Sequence, residues 1–228
     1  MRYSRQEAFS GLGHGSQQRL NASVVTIVGV GALGTRVAEL LCRAGVGKLI
    51  LIDFDKVELS NLQRQTLFTE SDVGISKVEA AADRLRQINS EIEIVSFDKK
   101  LAFDVVDGFI IDCTDSLEIA FMINDFCVKS KRAFIHGSAA GSRGTLYCYA
   151  ADRPCLRCFI PAAKNPETAA TSGILNTAVS MVATLQANEA IKHIVGKEME
   201  KSYLRMDVWN NSFDRISVRK KKTCICSQ

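Results

Sequence analysis

Proline is scarce in this chain of 228 residues: only three occur, all between Pro154 and Pro166. With no internal repeat and no low-complexity linker, an extended proline-rich arm is excluded. Apolar residues never run on for the ~20 positions of a membrane span, which excludes a spanning helix. Met1-Arg2-Tyr3-Ser4-Arg5 leads into a polar segment that lacks the apolar core of a signal peptide, so a cytoplasmic location is expected. Net charge is only +4, too little to argue for nucleic acid. The basic run Arg219-Lys220-Lys221-Lys222 reads as a solvated tail. His14, His136 and His193 stand alone and read as structural. With 46% hydrophobic and 24% charged residues, the chain has the makings of a soluble globular protein with a substantial core.

Nothing signals secretion, so the eight cysteines are not read as a disulfide framework. Cys42, Cys113, Cys127 and Cys148 sit singly in apolar surroundings and read as small buried hydrophobes. The other four form two close pairs, Cys155/Cys158 and Cys224/Cys226.

Strand and helix patterns alternate. Val24–Val30 is short, apolar and β-branched, as a buried strand is. Further strands are predicted over Lys48–Ile52, Ile92–Phe97, Val105–Ile111, Ala133–His136, Thr145–Tyr149, Ser202–Val208 and Arg215–Val218. Helical spacing covers Leu33–Ala44, Lys77–Ile88, Asp115–Lys131 and Leu175–Val195. This order predicts an α/β fold of Rossmann type: a mostly parallel sheet, helices on both faces, and a C-terminal crossover and tail. We expect one domain over 1–228, with a nucleotide-binding half at 1–150 and a smaller half at 151–228.

Gly29-Val30-Gly31-Ala32-Leu33-Gly34 is a GxGxxG placed directly after a strand and opening a helix. Its glycines let backbone approach a phosphate, whose charge the helix N-terminus favours. Asp53 ends the second strand, where an acid accepts hydrogen bonds from ribose hydroxyls. The motif implies a nucleotide without choosing between NAD and ATP. Beyond it lie Asn61, Gln63, Arg64 and Lys77. These suit a triphosphate better than a nicotinamide, which needs apolar room. On spacing alone, Arg64 could equally pair with Asp55, and Lys77 could be a solvated helix-start residue. Asp115 falls at the carboxyl end of the fourth strand, where ligands of open α/β sheets collect. A carboxylate facing polyphosphate is a natural Mg²⁺ ligand; Asp115 would also serve as a helix N-cap. Asp112 reads as structural.

The segments RYSRQ (Arg2–Gln6), GVGALG, LIDFD, LSNLQRQ, GISKVE, DCTD and CLRC, in this order, resemble the ThiF/MoeB/HesA family, prokaryotic relatives of ubiquitin-activating enzymes. The resemblance covers nearly the whole chain. It implies ATP-dependent adenylation of the C-terminal Gly-Gly of a ubiquitin-like sulfur carrier of the ThiS or MoaD type. By matching position, the resemblance places the adenosine and phosphates against Gly29, Gly31, Ala32, Gly34 and Asp53. It places the phosphates against Asn61, Arg64 and Lys77, with Gln63 and Ser116 beside them, and Mg²⁺ on Asp115. Arg5 resembles the family's arginine that reaches the triphosphate from the other subunit of a homodimer.

Cys155-x-x-Cys158 suits two thiolates on one metal, and Cys224-x-Cys226 completes a four-sulfur set for structural zinc that pins the tail to the body. A redox role for CxxC is disfavoured, since no thioredoxin-like βαβ surrounds it. The chain departs from that family's pattern in four places. The second pair is CxC rather than CxxC. An arginine common near Ala120 is missing. Ser116 replaces a common asparagine. The crossover from Pro161 to Gly173 holds Thr168, Thr171 and Ser172 but no cysteine. Other readings are an NAD-dependent oxidoreductase, a non-catalytic scaffold that binds the carrier, and a relative that uses ATP on a peptide or a tRNA nucleoside.

Overall fold

Short runs rich in β-branched residues build the parallel part of a single sheet in the computed structural model, which describes residues 2–161 and 172–227. The strands are β1 (Val24–Val28), β2 (Lys48–Asp53), β3 (Glu93–Asp98), β4 (Phe109–Asp112), β5 (Phe134–Ala140), β6 (Arg143–Tyr149), β7 (Tyr203–Asp207) and β8 (Ser212–Ile216). Their spatial order is β3-β2-β1-β4-β5-β6-β7-β8. β1 to β5 pair in parallel, and β6, β7 and β8 extend the sheet antiparallel. The chain runs outward from β1 to β3 and then crosses back to β4. Strand order therefore reverses between β1 and β4, and open α/β sheets bind ligands beyond the carboxyl ends at such a point.

The described helices are α1 (Ser4–Glu7), α2 (Ser16–Asn21), α3 (Ala32–Ala44), α4 (Lys77–Ile88), α5 (Leu117–Ser130) and α6 (Asn176–Ile194). Alternation along the strands divides the core in two. Ile27, Leu49, Leu51, Ile111 and Ile135 pack with Val37 and Leu41 of α3, Leu85 of α4 and Val182 of α6. On the other face, Val28, Ile110, Phe134 and Tyr147 pack with Phe121 and Ile123 of α5 and with Leu156. Among the described residues no helix is long and apolar enough to cross a membrane.

The predicted helix over Lys77–Ile88 keeps its bounds. Two strands shift. β4 begins at Phe109 rather than Val105, because Gly108 turns with φ +64 and Thr26 Oγ1 donates to the Asp107 carbonyl at 2.6 Å. β8 spans Ser212–Ile216 rather than Arg215–Val218, since the hairpin from β7 turns at Asn211 (φ 53) and pairs Asp207 with Ser212. Its residues are mostly exposed, so no apolar alternation marked it. The helix after Asp115 starts at Leu117, where Ser116 caps it by accepting from Ile119 N at 3.3 Å.

Ile111 is fully buried between the sheet and its helices. Ile111→Ala is expected to cost about 2–5 kcal/mol, seen as a lower urea midpoint with an unchanged slope.

Candidate active site

β1 runs into a loop too tight for side chains. Gly29 has φ +86, and a Cβ there would meet the Cys113 carbonyl at 3.0 Å. A Cβ on Gly34 would lie 1.9 Å from the Gly29 oxygen. These glycines seat the start of α3 directly on the end of β1. The free N–H groups of the first turn of α3 then face a cavity of about 730 Å³ lined by Gly29, Gly31 and Ala32. Gly34 lies behind the loop and holds it from below.

Asp53 lines the cavity at the end of β2. Its carboxylate accepts from Val30 N at 2.7 Å and from Asp55 N at 2.9 Å, which ties β2 to the glycine loop. Burial pushes its carboxyl above the usual range, while those two N–H groups and Lys77 pull it back. Lys77 is buried, and its Nζ donates to Asp55 Oδ2 at 2.8 Å. Neither alternative left open by spacing holds: Lys77 rather than Arg64 pairs with Asp55, and Lys77 is buried rather than solvated. Arg64 instead donates to the Ser60 carbonyl at 3.0 Å. Asn61, Arg64 and Lys77 all line the cavity, as does the exposed residue Asp115. Ser116 lines it too while capping α5.

Gln63 is not brought in. Helical turning at 59–65 puts Asn61, Arg64 and Gln65 on the cavity side and leaves Gln63 exposed. The amide in the wall is Gln65, buried beside Gly31. Spacing of three and four residues from Asn61 is the signal that would have chosen it. Lys56, Lys99 and Lys100 also line the cavity and were missed. Lys99 and Lys100 follow β3 at the same carboxyl edge, so their position at a strand end was the available clue. Arg5 lies elsewhere: its helix α1 is tied by Gln6 Nε2 to the Ala44 carbonyl at 2.9 Å. Ala44 ends α3, whose other end opens the cavity, so one chain does not bring Arg5 to the site. His136 is buried and pairs with Asp112; neither lines the cavity.

The ThiF family pattern matches residues 3–227. The chain belongs to the ThiF family. A Bacillus subtilis sulfur carrier protein ThiS adenylyltransferase is 37% identical over 99% of this chain and 70% of its own length. The Mus musculus adenylyltransferase and sulfurtransferase MOCS3 is 37% identical over 100% of this chain but only 53% of its own; the ThiF-family chain thus spans about half of that relative. Escherichia coli MccB crystallised with MccA-N7isoASN superposes with a TM-score of 0.90 at 22% identity, covering 100% of this chain and 75% of that one. At that identity the likeness shows the fold.

Among the departures of this ThiF-family chain, Ala120 turns away from the cavity into the core beside Phe121 and Ile123. An arginine there would sit where packing is now apolar. Of the crossover, Thr168 and Thr171 lie outside the described residues, and Ser172 is exposed. The CxC pair does meet the CxxC: Cys155, Cys158, Cys224 and Cys226 place their sulfurs within 4.8 Å of one another. Cys155 Sγ is 3.4 Å from Cys224 Sγ, and Cys158 Sγ 3.4 Å from Cys226 Sγ. Four sulfurs on a tetrahedral zinc with ~2.3 Å bonds stand about 3.8 Å apart, so the donor set fits that ion. Four thiolates leave no open position, so such a site is structural. Lys221 N donates to Cys158 Sγ at 3.4 Å, which fixes the tail where it meets the body. Replacing Cys155 and Cys158 with serine is expected to lower Tm, by ~2–4 °C for each kcal/mol lost, and to release zinc; calorimetry and metal analysis check both.

Proposed function

We propose that this chain is an adenylyltransferase that uses ATP and Mg²⁺ to activate the C-terminal Gly-Gly carboxylate of a ubiquitin-like sulfur carrier and releases pyrophosphate. One observation carries this reading. In a single cavity the N-terminus of α3, the cations Arg64 and Lys77, and the carboxylate of Asp115 converge. Two cations beside a carboxylate that can take a metal suit a triphosphate better than a nicotinamide, which needs neither. The 37% identity to a ThiS adenylyltransferase over 99% of the chain favours a carrier protein over a peptide or nucleoside.

The nucleophile, a peptide carboxylate, is ionised at neutral pH, so no general base is needed. Its oxygen attacks the α-phosphorus; the bond to the bridging oxygen breaks, and the electron pair leaves with pyrophosphate. The chain's task is positioning and charge neutralisation. Asp53 orients the ribose, the N–H groups at Gly31 and Ala32 cradle phosphate, and Arg64 and Lys77 balance its charge. Asp115 fits Mg²⁺, since that ion takes one or two carboxylates and completes its shell with phosphate and water. When bound, it would neutralise charge on the departing phosphates. Asp55 holds Lys77 ready until phosphate competes for it. Arg5 joins from a second copy of the chain in a homodimer, which accounts for its distance from the cavity within one chain. Residues 1–150 bind the nucleotide, and 151–228 supply the crossover and zinc site. Four unlinked cysteines with four more arranged for zinc suit a reducing cytoplasm.

Arg64→Ala and Asp115→Ala are each expected to abolish carrier-dependent pyrophosphate exchange while far-UV circular dichroism stays unchanged. Near-normal exchange in either folded variant would sink the assignment.

The adenylate is consumed without an enzyme thioester. Cys42, Cys113, Cys127 and Cys148 are buried. Burial pushes Cys42 to about 11 and Cys127 to about 12, and raises Cys113 and Cys148 strongly, which disfavours the nucleophilic thiolate in all four. Replacing all four with serine or alanine should preserve adenylate formation in a variant that folds. An ATP-dependent, reducible conjugate between enzyme and carrier mapped to one of them would overturn this.

A further inference from the structure

Asp112 is fully buried at the end of β4, yet the chemistry proposed above does not use it. A buried carboxylate is costly unless its lone pairs are met. Here they are. Oδ1 accepts from Thr114 N at 3.0 Å and from Thr114 Oγ1 at 2.8 Å. Oδ2 lies 2.7 Å from Nδ1 of His136, also buried. A carboxylate only accepts, so Nδ1 carries the hydrogen. Asp112 and His136 are register partners on the adjacent parallel strands β4 and β5. On the opposite face, Gln186 of α6 donates to the Asp112 carbonyl at 2.8 Å.

Hydrogen bonding to Asp112 therefore fixes Thr114, the residue before Asp115. Thr114, Asp115 and Ser116 form the turn that enters the cavity wall. β5, which carries His136, continues into Ser138 and Ala139 of the opposite wall. An apolar pair would also join the two strands and would leave no buried polar group to satisfy. What an apolar pair cannot do is hold the hydroxyl and N–H of Thr114 in one orientation.

We propose that His136 and Asp112 are positioning residues: through Thr114 they aim the Asp115 carboxylate at the metal–nucleotide complex and set the spacing between the two cavity walls. This rests on the reading of Asp115 as the Mg²⁺ ligand. Partners that orient a ligand commonly govern metal affinity without touching the metal. The pair should therefore matter to ATP with its metal and not to ATP alone.

The test is calorimetric binding of ATP to the full chain, once with Mg²⁺ and once with EDTA. The wild type is expected to bind ATP more tightly with Mg²⁺, and Asp115→Ala to lose that difference. His136→Leu and Thr114→Val are expected to weaken the Mg²⁺ form by about 10-fold or more, and His136→Leu to leave binding in EDTA unchanged. His136→Asn, whose side-chain N–H can stand where Nδ1–H stood, is expected to keep the wild-type difference. Thr114→Val changes little in shape, so it remains informative if His136→Leu does not fold. Equal weakening in both media, or an unchanged Mg²⁺ difference in Thr114→Val, would overturn the positioning role. A difference that survives in Asp115→Ala would overturn the metal assignment beneath it instead.

Discussion

Everything at the cavity depends on how closely two backbone segments can approach. The loop after β1 passes the end of β4 at the Cys113 carbonyl, and the first turn of α3 passes over Gly29. Any side chain at Gly29 or Gly34 would separate those segments. With the segments in contact, the α3 N-terminus lies beside both Asp53 and the turn that bears Asp115. A helix end and two carboxylates, Asp53 and Asp115, are thereby brought to one cavity. Without the contact these would be three unrelated surface features.

The remaining polar groups are arranged so that the site tolerates being empty and still welcomes charge. Lys77 is too buried to stay unpaired, and Asp55 meets it. Asp53 is buried enough for its carboxyl to be pushed upward, and two backbone N–H groups offset that. Arg64 rests on a backbone carbonyl, a partner that a phosphate can outcompete. Beneath them Asp112 and His136 satisfy each other out of reach of solvent. Cations that face the cavity are thus held by groups they can leave, while the groups behind them are locked.

The far face of the sheet is finished differently. α5 alone cannot cover it, and the C-terminal tail supplies what is missing. Cys155, Leu156, Cys158 and Cys224 pack into the same apolar cluster as Phe134 and Tyr149. Arg153 anchors the approach to this cluster, donating to the carbonyls of Cys148, Met199 and Glu200. A four-sulfur site here closes a loop between distant parts of the chain and lets a short tail act as core.

Much of this was written in local residue patterns. β-branched runs, helical spacing and the glycine loop between them specify strands, helices and their alternation, because each follows from backbone sterics within a few residues. The two cysteine pairs pointed to one four-sulfur set, and the fold does bring their sulfurs within 4.8 Å of one another. Only the tertiary structure decided which side of the turn at 59–65 faces the cavity, and so brought in Gln65 and left out Gln63. It alone gathered Lys56, Lys99 and Lys100 to the wall, because sheet order and not sequence proximity sets which strand ends are neighbours. It paired Lys77 with Asp55 across 22 positions, and it turned two residues read as merely structural, Asp112 and His136, into the support of the Asp115 turn. The Asp112–His136 pairing depends on register between strands that are far apart in the chain, which no local pattern encodes.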